Sequence, residues 1–388
     1  MSSSTPRPPG TPALVMHEGS RQHRIYQVVG WACLAIPVLL APYILPSFRV
    51  SQLAQAAGWG VAILGMNMVI GWSGLLSLGH IAFVGLGAYT TAILINEYKW
   101  DFWMTLPLAF IVCFIFGAIV GLPALKIKGL YLALVTFALA YTFPIILKIE
   151  GGGIERRTGG DNGRTLIEGL KPTNWMRSVL GVGSKDESTR VAVYKYFALV
   201  IIAFVCFFLV RNIMKSALGR SMIAIRDNQI GAAVSGVNLN RQKVLVFGIS
   251  AAFAGIGGSM IAAVLDSVGP TTFDANYAVL TLMGLVLAGV ATLHGCWVGG
   301  LLVVFLQDFA PRLVKNLPII HPDVQYAAVI FGLALVLVPF FMPHGILSFL
   351  RQTRARFVRV IPTRPDSLGG SAPSLRTGQA SPGGSAAG

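Results

Sequence analysis

The residues of this chain that could do chemistry are few, and they lie where water should be scarce. The run GWSGLLSLGHIAFVGLGAY sets Ser73, Ser77 and His80 among Gly71, Gly74, Gly79, Gly85 and Gly87, in the middle of a long apolar stretch. Hydroxyl and imidazole groups at that depth can bond a passing solute or a neighbouring backbone. Glycine there lets another backbone come close, or lets a helix break to line a path. Two readings are open, a permeation segment or a tight-packing one. For His80 the choice is a bond to the solute or a bond to a neighbouring carbonyl.

Hydrolytic or metal chemistry finds no support. No paired carboxylates, metal-ligand cluster or nucleophile with a base occurs in the apolar runs, so no catalytic residue is assigned. His80 and His294 are single histidines, and Cys33, Cys113, Cys206 and Cys296 lie in or beside apolar runs without CxxC spacing. Neither a metal site nor a disulfide framework is expected. No GxxxxGK[ST] loop occurs, and Gly181 to Lys185 lacks the spacing that wraps phosphates. No cofactor is therefore expected on this chain.

Two polar segments carry further patterns. Thr158, Gly159, Gly160, Asp161, Asn162 and Gly163 form a run in which consecutive glycines expose backbone N–H groups and the Asp and Asn side chains can hold a turn. It is either an external mouth or an ordinary surface turn. Arg211 to Lys243 is too polar to insert, and within it Leu218, Met222 and Ile225 recur at helical spacing. A short helix on the membrane surface is predicted, with its end near Gly231 or Gly236. It is either a basic loop that fixes topology or a docking helix for a soluble motor.

The elements that must position these residues follow from composition. Of 388 residues 54% are hydrophobic and 12% charged, with a mean hydropathy of +0.69. The expected class is all-α, a polytopic membrane protein with about ten crossings of about 20 residues each, some of them glycine-packed or broken. The candidates are 26–46, 53–72, 78–95, 103–123, 130–147, 196–210, 244–265, 277–293, 298–309 and 326–341. Between 277 and 309, Thr292, His294 and Gly295 leave two short pieces, read as two helices joined by a tight turn or as one broken element. The apolar cores contain no Asp, Glu, Lys or Arg, which disfavours proton coupling; Lys195, Asp266 and Asp308 sit at edges.

The formal charge of +15 is placed as the positive-inside rule requires, not as nucleic-acid binding would. With the amino terminus inside, Lys126, Lys128, the Arg211–Lys243 segment and the basic tail all fall inside, and 148–195 becomes an external loop. The first apolar run lacks a cleavage signature and reads as a retained helix. An arm over 1–24 and a basic tail over 351–388, both cytoplasmic, are rich in Pro, Ser and Gly and are expected to be disordered, leaving 25–350 as the membrane domain.

Five blocks in order carry a resemblance: GWSGLLSLGHIAFVGLGAY, GLPALKIKGLYLALVTFALA from Gly121, RTGGDNG from Arg157, the Gly219–Gly236 loop, and MPHGIL from Met342. Together, from about 53 to 347, they resemble the permeases of ABC-type branched-chain amino-acid importers. The resemblance implies a bacterial-type cytoplasmic membrane, a second permease chain, two cytoplasmic ATP-binding subunits and an external substrate-binding protein. ATP and magnesium would be used by those partners. It also implies an ATPase coupling loop that holds Gly219, Arg220, Arg226, Asp227, Ala232, Ala233 and Gly236; Ala232, Ala233 and Gly236 fit its pattern, although Gln229, Ile230 and Gly231 stand where an acidic residue is often found. Permeases for urea and short amides are related; the TGGDNG run is more similar to the amino-acid branch. A stand-alone secondary carrier is the remaining alternative.

Overall fold

The computed structural model describes residues 14–17, 37–127, 129–149, 153–166, 170, 187–315 and 358–361. A helical stretch at 37–44 is followed by α1 (Ser47–Asn67), which runs on into a π turn, Met68–Trp72. Then come α2 (His80–Tyr98), α3 (Phe102–Gly121) and α4 (Leu130–Leu147). A small polar module holds α5 (Ile154–Thr158), a 3-10 turn at Gly160–Asn162 and the strand β2 (Arg164–Thr165). The chain continues with α6 (Glu187–Lys215), α7 (Ala217–Asp227), α8 (Gln229–Val234), α9 (Leu239–Leu265), β3 (Ser267–Val268), α10 (Ala275–Ala288) and α11 (Gly295–Lys315).

Seven of these helical segments are long and apolar enough to span a bilayer, and Gly295–Phe309 forms a shorter apolar helix. They correspond to eight of the sequence candidates, so the count of ten is not reached among the described residues. The crossing expected at 326–341 lies outside them, as does most of 26–46. α6 is much longer than its apolar core at 196–210. Its 29 residues rise about 44 Å, against about 30 Å of hydrocarbon, so the helix starts inside the polar stretch 148–195.

α9 is the axis of the packing, with α1, α2 and α3 against it, while α1 also meets α6 and α11. Small residues set these contacts. A Cβ on Gly258 would run into the carbonyl of Val84, and one on Gly87 into the backbone of Gly255, so α2 and α9 touch backbone to backbone. Thr91 Oγ1 donates to Ser259 Oγ at 2.8 Å across the same seam. Where the chain leaves these helices it is capped locally. Asn238 accepts from Arg241 N at 3.0 Å ahead of α9, and Asp274 accepts from Asn276 N at 3.1 Å ahead of α10.

The two pieces expected between 277 and 309 are distinct helices. α10 and α11 pack side by side, with Gly284 and Gly299 facing each other and Ile63 of α1 against both, and residues 289–294 joining them. The small strands are the departure from an all-helical chain. β2 and β3 pair antiparallel, Arg164 opposite Val268 and Thr165 opposite Ser267. In a separate unit built from the two tails, β1 (Leu14–His17) and β4 (Val358–Ile361) form a parallel ladder, in segments whose composition suggested disorder.

Candidate functional site

At one end of the bundle the chain breaks twice, and the two breaks meet. After Asn67 the α1 helix widens into the π turn, and Ser73 Oγ reaches back to donate to Met68 O at 2.9 Å. Gly74 turns the chain with φ of 66°, a left-handed value suited to glycine, and Leu75 N closes onto Val69 O at 3.0 Å. The second break is 289–294, where Ala291 also holds a positive φ, 60°. Asn67, wholly buried, bridges them: its Oδ1 accepts from Ala291 N at 2.9 Å and its Nδ2 donates to Thr292 O at 3.1 Å. The second break exposes backbone polar groups that hydrocarbon cannot satisfy, and the Asn67 amide supplies their partners.

The surface segment docks onto this place. α7 and α8 replace the single helix expected there. The first stops at Asp227, and Asn228 turns extended and caps the second by accepting from Ile230 N and Gly231 N, both at 3.0 Å. Met222 and Ile225 are buried beneath α7, as their spacing predicted. Arg226 Nη1 donates to Gly71 O at 3.2 Å, its Nε to Asp227 at 3.0 Å, and its aliphatic stem lies against Gly74. Gly219 turns closely over the backbone of Met214, Arg220 donates to Lys215 O at 3.1 Å, Ala232 is buried and Ala233 exposed. Gly236, with φ of 86°, ends α8. Ile230 and Val234, one helical turn apart, are 78% and 85% exposed, an apolar pair on the outer face of α8.

The other predicted glycines sit along α2 and just ahead of it. A Cβ on Gly79 would lie 2.8 Å from Thr136 O of α4, one on Gly85 would enter the ring of Phe143, and Gly87 faces Gly255. His80 is buried with Nδ1 3.3 Å from Ser77 Oγ, while its Nε2 has no hydrogen-bond partner among the described residues and its ring meets Phe83 edge-on. Ser77 is likewise buried.

The Thr158–Gly163 run lies at the opposite end of the bundle, beyond hydrogen-bonding reach of the Asn67 site. Thr158 Oγ1 donates to Leu147 O at 3.0 Å, Asp161 pairs with Lys148, and Gly159, Gly160 and Gly163 all have positive φ. Gly160 is buried and Asn162 exposed. Arg164 pairs with Glu97 at 2.9 Å, Asn96 donates to Thr165 O at 2.8 Å, and Leu166 N to Asp266 O at 2.8 Å. Lys195, buried, donates to both oxygens of Asp266 at 2.7 and 2.6 Å. The edge charges noted in the sequence therefore pair with each other, and Arg49 and Asp308 do the same at 2.7 Å.

Sequence reasoning missed Asn67. A search for ionisable groups passes over it; a search for any strong hydrogen-bonding side chain inside an apolar run would have found it. Among the described residues no group of three His, Cys, Asp or Glu side chains could hold a metal ion.

Residues 49–339 match the family model described as branched-chain amino acid transport system / permease component. The chain belongs to this permease family. It is 32% identical to the high-affinity branched-chain amino acid transport system permease protein LivM of Salmonella typhimurium over 302 residues, covering 74% of this chain and 67% of that protein. The Escherichia coli protein of the same name is 30% identical over the same shares. The ribose import permease protein RbsC of Haemophilus influenzae is more distant, at 22% over 66% of this chain and 75% of its own length. No solved structure matches. As a member of the family this chain is a multi-pass membrane permease.

Proposed function

We propose that this permease carries branched-chain aliphatic amino acids inward across a bacterial-type cytoplasmic membrane, as one of two permease chains driven by two ATP-binding subunits and supplied by an external binding protein. The relatives named for branched-chain amino acid transport, matched over 74% of the chain, support the cargo. ATP and magnesium belong to the partner subunits. The helices that would open alternately are those packed through Gly79, Gly85 and Gly87, with Ser73, Ser77 and His80 as polar groups beside the path. The Thr158–Gly163 module would sit outside, under the binding protein.

The observation that carries the ATP-driven reading is the surface of α7 and α8. Ile230 and Val234 leave apolar side chains in solvent beside Arg226, at the end where the chain breaks. A soluble ATPase with an apolar groove would cover them, and its opening and closing would move the helices to which α7 and α8 are joined. This end is then cytoplasmic, as are both termini.

The test is reconstitution of the whole complex in liposomes with labelled leucine, isoleucine and valine, beside labelled urea. Uptake of the three amino acids that requires the ATPase subunits is expected; uptake of urea alone, or of any solute without the ATPase, would defeat the reading. Ile230→Asp with Val234→Asp should leave the permease folded and weaken ATPase association by about thirtyfold or more, as loss of an interface hot spot does.

A further inference from the structure

The surface helix α7 is linked to the break between α10 and α11 through one buried side chain. Arg226 holds Gly71 O, and Gly71 is the point where the π turn, Asn67 and the 289–294 link are stacked. A Cβ on Gly71 would run into Asn67 Oδ1 and lie 2.7 Å from Ala291 N, so no slack separates them. Asn67 then fixes the link by its bonds to Ala291 N and Thr292 O, with Cys296 Sγ 3.4 Å from its Nδ2 at the start of α11. Both pieces of backbone are of the kind that has a second arrangement. A π turn is a local insertion into a helix, and a left-handed alanine costs about 1 kcal/mol or more unless its surroundings hold it.

We propose that Asn67 is the positioning residue of energy coupling: displacement of Arg226 shifts the π turn, and the Asn67 amide passes that shift to residues 289–294, which open or close as an inner gate. This rests on the ATP-driven reading above. A purely local role is the competing account, in which Asn67 only satisfies two backbone groups of the break. The two differ in whether the link responds to nucleotide. Packed contacts without slack transmit a displacement, whereas a local patch does not sense α7.

Cys296 reports on the link because its thiol is buried and lies against Asn67. The complete complex in liposomes is treated with N-ethylmaleimide, with and without ATP, and modification of Cys296 is followed by peptide mass spectrometry alongside ATP hydrolysis and amino-acid uptake. In the wild type the rate of modification should differ between the two states by about fivefold or more, the lower end of a typical coupling. Asn67→Ala should reduce that difference to less than about twofold while hydrolysis continues, so that uptake per ATP falls. Arg226→Ala should do the same, and Arg226→Lys, which keeps a donor, should retain part of the difference.

If Asn67→Ala does not assemble, Arg226→Ala decides, because that side chain is on the surface. A full nucleotide response in Arg226→Ala, or none in the wild type, overturns the proposal. So does loss of hydrolysis in Arg226→Ala together with the response, since Arg226 would then act only in docking the ATPase. Failure of the underlying reading shows differently, as wild-type uptake that proceeds without ATP.

Discussion

α4 and α9 are almost equally apolar, yet 78% of the apolar stretch of α9 lies inside the bundle against 33% of that of α4. The difference lies in their small residues. α9 carries Gly248, Gly255, Gly257 and Gly258, each at a close contact, whereas α4 from Leu130 to Leu147 has no glycine and exposes Leu130, Tyr131, Leu134, Tyr141 and Ile145. In lipid the hydrophobic effect does not sort helices into inside and outside, because acyl chains are as apolar as leucine. Close approach of backbones does. Hydropathy says that a helix is in the membrane; glycine says that a neighbour comes close.

That account predicts a steep order of sensitivity. The largest effect should come from Gly258→Leu, whose side chain would have to displace the backbone of Val84. Neither helix can yield without breaking the seam, so destabilisation should reach about 3 kcal/mol or more, the upper end for overpacked sites. Thermal unfolding of the purified permease, with uptake by the whole complex, checks it. Normal folding and transport of Gly258→Leu would break the comparison at its strongest point.

Gly79 and Gly85 separate backbone from side-chain limits. Gly79 abuts the carbonyl of Thr136, which cannot rotate away, so Gly79→Leu should cost about 2 kcal/mol and impair uptake. Gly85 faces the ring of Phe143, a side chain that can be trimmed. Gly85→Leu alone should be harmful and should regain part of its stability when combined with Phe143→Ala. Absence of rescue would mean that Gly85 is needed for the path and not for packing. Both glycines were visible in the sequence as costly residues in an apolar run; which partner each one meets was not, because helical spacing does not record the neighbour's identity.

Other features were hidden for equally physical reasons. Hydropathy located the core of α6 at 196–210 because it measures the thickness of hydrocarbon, while the helix from Glu187 to Lys215 continues through polar turns that hydrogen-bond in the same way. The surface helix was legible from Leu218, Met222 and Ile225, but its division at Asn228 depends on a side chain capping its own neighbours, which apolar spacing does not record. Lys195 and Asp266 were each seen as edge charges. Their pairing joins residues far apart in sequence, which no local pattern encodes.

That ion pair supplies an intermediate effect. Lys195→Met removes the buried ammonium and leaves Asp266, whose side chain is 51% exposed, to water. Breaking a fully buried pair costs about 3–5 kcal/mol, but an aspartate half in solvent recovers much of its hydration, so about 1–2 kcal/mol is expected. Salt should reduce the wild-type advantage, since the exposed partner is screened. A loss as large as that of Gly258→Leu would mean that the polar end, and not the glycine seam, holds the bundle.

The smallest effect is expected on α4. Leu134→Ala and Ile145→Ala remove side chains that lie on the exposed face of a helix in hydrocarbon, and lipid fills the space that a soluble core would leave empty. Stability should change by no more than about 0.5 kcal/mol, against the 2–5 kcal/mol of a buried leucine truncated in a packed core. The measurement is thermal unfolding of the permease alone, followed by recovery of the second permease chain on co-purification. Unchanged unfolding with unchanged recovery assigns this face to lipid. Unchanged unfolding with reduced recovery assigns it to the partner chain, and in that case the exposed leucines of α4 do between chains what the glycines of α9 do within one.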